Sequence, residues 1–378
     1  MVTIKDVARY AGVSYSTVSR ALADSPLVDA KTKKKVLRAA EEMHYVPNQM
    51  ARSLKGGKSR TVLLIVPDLT NAFFPKMVTC FEENLRKHDY SILLGISDNT
   101  EELENRCFER ASSFGAEGIV WIACDENQER IGNLIQNTDV PVILINREMD
   151  VDATCVTNDN RRGACAAVEC LLQNGHRRVA CLIRDLNQQH FKERYLGCQD
   201  AFRKYGISDE EVTYLCAEST RTAYEEARRL LAAPNRPTAF FVFSDWLADS
   251  VYSAAASLGL SIPQDVSVVG YDDIDRAQYM LPALTTWHHP IEQITTVSVD
   301  ILMRQIDGDT ATRGNHIVVP GRLVERNSVR DLTKQDDGPA PEDPGCTGGL
   351  NDEKDCNRDR RKPRHWFWHC TGACKAWL

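Results

Sequence analysis

From Thr61 onward the chain alternates short apolar runs with helical stretches, and this alternation limits the possible folds more than any other feature of the sequence. Val62 to Val66, Ser91 to Ile96, Gly118 to Ile122 and Val142 to Ile145 are apolar and of strand length, and helical stretches such as Phe74 to Lys87 and Glu101 to Phe114 separate them. Val179 to Ile183, Val212 to Leu215, Ala239 to Phe243 and Val266 to Val269 continue the series. Strands alternating with helices predict parallel sheets joined by right-handed crossovers, an α/β architecture. Eight or more strands over about 270 residues fit two Rossmann-like, doubly wound subdomains with a cleft between them better than one sheet. A closed β/α barrel is the structural alternative.

The N-terminal segment has a different texture. Ile4, Val7, Ala8 and Ala11 recur at helical spacing and give a first helix one apolar face. Gly12 supplies the freedom of a sharp turn, Val13 packs beneath it, and Ser14 is placed to cap a second helix starting at Tyr15. That helix buries Val18 and Leu22, which leaves Tyr15, Ser16, Ser19 and Arg20 on the opposite face. Hydroxyls, a phenol and a guanidinium are groups that meet phosphates and base edges in a major groove. A third helix is expected over Asp29 to Met43, with Val36, Leu37, Ala40 and Met43 toward the first two and Lys31, Lys33, Lys34 and Lys35 toward solvent or phosphate. Next, Pro47-Asn48 starts a helix that Gly56-Gly57 breaks. About two turns fit between those marks, too few to be stable without a packing partner.

Charge follows the same division. Residues 1 to 60 hold twelve Lys or Arg against five Asp or Glu, a net of +7, so the overall charge of -7 leaves -14 on the remainder. A basic head on an acidic body suits a protein that binds a polyanion at one end only. No apolar run is long enough to span a bilayer and no leader precedes the first helix, so the expected location is cytoplasmic, with no membrane partner. Cys80, Cys107, Cys124, Cys155, Cys165, Cys170, Cys181, Cys198 and Cys216 lie among strand and helix patterns and read as reduced small hydrophobes. Residues 333 to 378 carry Pro, Gly and mixed charge with no helical or strand period, and read as a mostly disordered tail. Its Cys346, Cys356, His365, His369, Cys370 and Cys374 overlap without a supporting fold, and no metal or other cofactor is expected.

Motifs along the chain occur in a telling order. They are Ile4-Lys5-Asp6-Val7-Ala8, Ala11-Gly12-Val13-Ser14, Ser16-Thr17-Val18-Ser19-Arg20-Ala21-Leu22, Tyr45-Val46-Pro47-Asn48 with Ala51-Arg52-Ser53-Leu54, and Val66-Pro67-Asp68. Asn174-Gly175-His176-Arg177-Arg178-Val179-Ala180, Ser267-Val268-Val269-Gly270-Tyr271-Asp272-Asp273 and Leu284-Thr285-Thr286 follow. With these, residues 2 to 332 resemble the lactose-repressor/galactose-repressor (LacI/GalR) family of bacterial transcription regulators. The resemblance implies a helix-turn-helix headpiece at 1–47, a hinge helix and linker at 48–60, and an effector-binding and dimerisation domain at 61–332. That domain would resemble periplasmic sugar-binding proteins, with one lobe at 61–160 plus 291–319, the other at 161–290 plus 320–332, and the tail at 333–378.

The resemblance also implies a homodimer, or a tetramer, on a pseudo-palindromic operator of double-stranded DNA. Tyr15, Ser16 and Arg20 would read base edges, with Arg20 forming a bidentate pair to guanine worth about 1 to 3 kcal/mol of discrimination. Thr3, Ser14, Thr17 and Asn48 would set the register, and the hinge, through Ala51 and Leu54, would meet the minor groove. Two Leu54 side chains paired across the dimer would wedge into a central step and bend the DNA. Within the cleft, Phe73 and Phe74 would line the pocket, Arg194 would hold the effector's oxygens and Asp272 would accept its hydroxyl or amine hydrogens. An arginine and a carboxylate over an aromatic floor suit a sugar or sugar derivative. Asp159, Phe241, Ser244, Asp245 and Trp246 are further candidates from the facing loops.

The chain departs from the family pattern at Leu63, Ala72 and Trp287-His288-His289, and at Arg184-Asp185-Leu186, which lacks the usual glycine turn. The expected function is a DNA-binding regulator, a repressor of a carbohydrate or catabolic operon. A sugar-binding protein without DNA regulation is the alternative from another class. No Walker loop, nucleophile elbow, dinucleotide fingerprint or His-Glu-x-x-His accompanies the fold, so an enzyme is not expected.

Overall fold

The computed structural model describes residues 2–22, 24–45, 58–124, 127–208 and 211–334. The expected hinge helix, with Asn48, Ala51 and Leu54, and the tail beyond Lys334 lie outside the described residues. Three helices form the headpiece: α1 (Ile4–Ala11), α2 (Tyr15–Leu22) and α3 (Ala30–Glu42). Asp6 reaches back to Thr3, accepting from its backbone N–H at 3.0 Å and its hydroxyl at 2.6 Å. Gly12 ends α1 at φ +61°, a conformation that carries no side-chain penalty in glycine. Ser14 Oγ accepts from Thr17 N–H at 3.1 Å and thereby caps α2. Val7, Ala11, Val18, Ala21, Val36, Ala39 and Ala40 form the headpiece core. Leu37, expected inside, is 49% exposed, because Val36, Ala39 and Ala40 define the inward stripe of α3.

The body contains two six-stranded sheets rather than a closed barrel. In chain order its elements are β1 (Thr61–Val66), α4 (Phe73–Arg86), β2 (Ser91–Ile96), α5 (Glu101–Ser113), β3 (Gly118–Trp121), α6 (Gln128–Gln136), β4 (Val142–Ile145) and β5 (Thr154–Asn158). Then come α7 (Asn160–Gln173), β6 (Val179–Ile183), α8 (Gln189–Lys204), β7 (Thr213–Cys216), α9 (Thr220–Leu231), β8 (Ala239–Val242), α10 (Asp245–Ser257) and β9 (Ser267–Asp272). The last elements are β10 (Thr285–His288), α11 (Ile291–Ile306), β11 (His316–Val319) and β12 (Arg322–Val324).

The first sheet has the order β11-β5-β4-β3-β1-β2, and the second β12-β10-β9-β8-β6-β7. Every pairing is parallel except that of β12 with β10. Strand β1 is buried from Val62 to Val66, and β8 along its whole length, as expected where helices cover both faces. The chain crosses between sheets after β5, after β10 and between β11 and β12, so the residues after the strand ends of one sheet face those of the other. Strands β5, β10, β11 and β12 were not anticipated from the sequence; they are short and mix Thr, Asn, His or Arg into the apolar pattern.

Candidate effector cleft and DNA-reading face

Ligands in open parallel sheets bind beyond the carboxyl ends of the strands, and the cavity between the sheets lies there. After β1, Asp68 Oδ1 accepts from the backbone N–H groups of Thr70 at 2.7 Å and Asn71 at 2.9 Å, and from the Thr70 hydroxyl at 2.8 Å. Asn71 Oδ1 in turn accepts from Phe73 N–H at 3.1 Å. This folded loop presents Phe73 and Phe74 to the cavity, ring edge to ring face, with centroids 5.4 Å apart.

After β4, Arg147 is buried on the cavity wall and donates from Nη1 to Asn146 O at 2.9 Å. The same nitrogen lies 3.1 Å from Nδ1 of His190, which belongs to the first turn of α8 on the other side of the cleft. Burial, followed by the nearby charges of Arg147, Arg194 and Arg184, pushes the His190 imidazole well below its ordinary value. A neutral ring has a bare nitrogen, and Nδ1 is thereby free to accept from Arg147.

From the second sheet, Arg194 is almost fully engaged. Its Nε donates to Asn160 Oδ1 at 3.0 Å, its Nη1 to the Phe243 carbonyl, and its Nη2 to Asp272 Oδ1 at 3.4 Å. The guanidinium also lies 3.6 Å from the centroid of the Tyr271 ring. Asp272 takes a second bond from Ser244 Oγ at 2.8 Å. Burial pushes the Asp272 carboxyl up from its ordinary value, opposed by Arg194 and Ser244. Asp272 has φ +116°, a region that L residues rarely occupy, and Asp273 follows at φ +55°. Strain of this kind is retained where the surroundings over-determine it, here by Arg194 and Ser244 bonded to the two oxygens of one carboxylate.

The cavity wall therefore brings together Phe73, Phe74, Arg194 and Asp272 from the sequence-derived set, and Ser244 with them. Four other candidates are placed elsewhere. Phe241 is fully buried within the second sheet's core, because its side chain points into the layer beneath α7 and α8 rather than beyond the strand end. Asp159 caps α7 by accepting from Arg162 N–H at 3.0 Å and lines an adjoining groove that shares Asn146 and His190 with the cavity. Trp246 is half-buried behind the wall, with the Arg184 guanidinium 5.7 Å from its ring centroid. Asp245 is buried, accepting from Thr286 Oγ1 at 2.7 Å and Ile274 N–H at 3.1 Å.

Sequence reasoning missed Asn146, Arg147, Arg184, Gln188 and His190, all on the wall. A signal existed for three of them: Asn146 and Arg147 directly follow β4, and Arg184 directly follows β6. His289, adjacent to these groups, packs its ring against Phe73 with centroids 4.9 Å apart. Burial, Arg194 and His288 push its pKa well below the ordinary range.

On the headpiece, Tyr15 and Arg20 are exposed, Tyr15 by 52%. Among the described residues the Arg20 side chain makes no hydrogen bond or ion pair, so its guanidinium is available to a base edge. Ser14, Ser16 and Thr17 share their hydroxyls, with Ser14 Oγ 2.8 Å from both Ser16 Oγ and Thr17 Oγ1. Thr3 is exposed at the start of α1. Among the described residues no group of three or more His, Cys, Asp or Glu is arranged to hold a metal, and no helix is long and apolar enough to cross a membrane.

A helix-turn-helix with an exposed arginine, followed by two doubly wound sheets around a polar cavity, defines a DNA-binding transcription regulator with a small-molecule cleft. The description "Bacterial regulatory proteins, lacI family" matches residues 3–48, and "Periplasmic binding protein-like domain" matches residues 168–329. The HTH-type transcriptional repressor PurR of Photobacterium profundum is 31% identical over 334 residues, covering 88% of this chain and all of that protein. The ribose operon repressor of Escherichia coli is 30% identical over 332 residues, covering 87% of this chain and all of that repressor. Among solved structures, the lac repressor dimer bound to operator and an anti-inducer aligns with a TM-score of 0.79 at 25% identity, covering 87% of this chain and 99% of that one. A ribose-bound LacI family regulator from Enterococcus faecium aligns with a TM-score of 0.65 at 26% identity, covering 72% and 99%. The chain belongs to the LacI family of bacterial transcriptional regulators, a family of DNA-binding regulators rather than of enzymes.

Proposed function

We propose that this protein is a cytoplasmic repressor of a carbohydrate or catabolic operon, and that a sugar or sugar derivative bound between the two sheets controls its hold on DNA. The observation that carries this reading is the buried Arg194–Asp272 pair beside Phe73 and Phe74, where the strand ends of both sheets meet. A carboxylate and a guanidinium beside aromatic rings can bond vicinal hydroxyls while the rings cover the sugar's apolar face. The structural neighbours include a LacI family regulator with bound ribose, which supports a sugar-like occupant.

Tyr15, Ser16 and Arg20 read base edges, while Thr3, Ser14 and Thr17 set the register against phosphates. Asn48, Ala51 and Leu54 form a hinge that folds on the DNA. The protein acts as a homodimer, two headpieces meeting the half-sites of a pseudo-palindrome. The division into headpiece 1–47, hinge 48–60 and body 61–332 follows this use, with lobes at 61–160 plus 291–319 and at 161–290 plus 320–332. The strand membership of the two sheets supports those lobes. The reading is tested by a thermal-shift screen of sugars and nucleosides, followed by an operator-binding assay with each hit. A sugar that raises the melting temperature and shifts operator affinity supports it; hits confined to non-sugar ligands would overturn the effector class.

A further inference from the structure

Three arginines and two aspartates line the cavity, and they differ in what already occupies them. Arg194 is bonded to Asn160, Phe243 and Asp272. Arg147 bonds the Asn146 carbonyl and contacts His190. Asp68 holds its own loop, and Asp272 is matched by Arg194 and Ser244. Arg184 differs from all of these. It directly follows β6, where cleft ligands of parallel sheets are bound. Among the described residues it makes no hydrogen bond and no ion pair. Its guanidinium is held by two rings instead, 5.3 Å from the centroid of Phe191 and 5.7 Å from that of Trp246. Rings hold the cation in place without using its N–H groups, so the donor fork stays available. The wall thus carries a net positive charge, with His190 neutral, and its least engaged cation faces the cavity.

We infer that Arg184 is a second anchor of the cleft, selecting an effector that carries one anionic group, a phosphate or a carboxylate, on a polyhydroxy frame. In this arrangement Arg194 and Asp272 take hydroxyls while Arg184 takes the anion, in the planar fork geometry that guanidinium and oxyanion share. Phe191 and Trp246 orient the fork, which explains why the strand end bears an arginine and Trp246 stands behind the wall rather than on it.

The inference rests on the cleft being the effector site, and the experiment separates the two. Binding of D-ribose, ribose 5-phosphate, D-glucose, glucose 6-phosphate and D-gluconate to the full chain is measured by titration calorimetry, for the wild type and for Arg184→Met and Arg184→Gln. Methionine keeps packing volume between the two rings, and glutamine keeps polarity without charge. Ligand-free melting curves identify a variant that fails to fold, and the other variant then decides. The wild type is expected to bind at least one anionic member roughly tenfold or more tighter than the neutral sugars. Ribose 5-phosphate and glucose 6-phosphate against gluconate tell a phosphate from a carboxylate, and the folded variants should lose the preference. Equal or tighter binding of neutral sugars, or a preference kept in a folded variant, overturns the role of Arg184 and leaves the cleft as effector site. No binding by any member overturns both.

Discussion

Arg194 and Asp272 meet at 3.4 Å beneath the cleft, and neither side chain is more than 6% exposed. Removing one member of a buried pair leaves the other without compensation, so Arg194→Ala should cost about 3 to 5 kcal/mol of stability. Asp272→Asn should cost less, since asparagine keeps the size of the side chain and can still meet Ser244 and Arg194. Urea denaturation compares the two, and equal stability of Arg194→Ala and wild type would contradict the pairing.

Asp245 is buried, and burial, then the charge of Asp272, pushes its carboxyl well above the ordinary value of 3.8. The folded state therefore holds a proton that the unfolded state releases, and stability falls as pH rises from about 4 through the folded pKa, by up to about 1.4 kcal/mol per pH unit. Asp245→Asn should flatten that decline, because an amide can donate to Thr286 Oγ1 and accept from Ile274 N–H. Melting temperatures between pH 4 and 8 check this, and an unchanged slope in the variant counts against it.

Gly197 packs α8 against α7. A Cβ there would lie 2.1 Å from the Arg161 carbonyl oxygen, which is backbone and cannot turn aside. Gly197→Ala should destabilise the body by about 1 to 3 kcal/mol, while Gly132→Ala, whose Cβ would meet only Val151 at 3.9 Å, should not. Chemical denaturation of both variants tests the contrast.

On the headpiece, Ser14→Ala removes the cap bond to Thr17 and should cost roughly 1 kcal/mol of headpiece stability. Arg20→Ala should leave the fold intact and relax operator specificity at one base position. Binding-site selection with each variant reads the difference, and an unchanged selected sequence for Arg20→Ala removes it from base reading.

Much of this was legible in the sequence because the physics was local. Periodicity located β1, β2, β4 and β6 within a residue or so, and the turn at Gly12 with its cap at Ser14 follows from backbone freedom and hydroxyl chemistry. The site was less legible where side-chain direction decides. Phe241 lies in a strand whose alternate residues point into opposite layers, and sequence position alone put it in the pocket rather than the core. Arg184 stood out only as a departure from a glycine turn; its importance appears once Phe191 and Trp246, seven and sixty-two residues further along, are seen to hold it. Strands β10 and β12 escaped because their pairing, not their composition, makes them strands.

We propose that occupancy of the Arg194–Asp272 cleft controls the hold of the headpiece on DNA. The most direct test is the operator affinity of the full chain, measured by fluorescence anisotropy with and without a saturating ligand from the screen, for wild type and Asp272→Asn. The wild type should change its operator affinity roughly tenfold or more, and Asp272→Asn should bind operator but not respond. An equal response in both, or none in the wild type with the cleft occupied, would contradict control through this cleft.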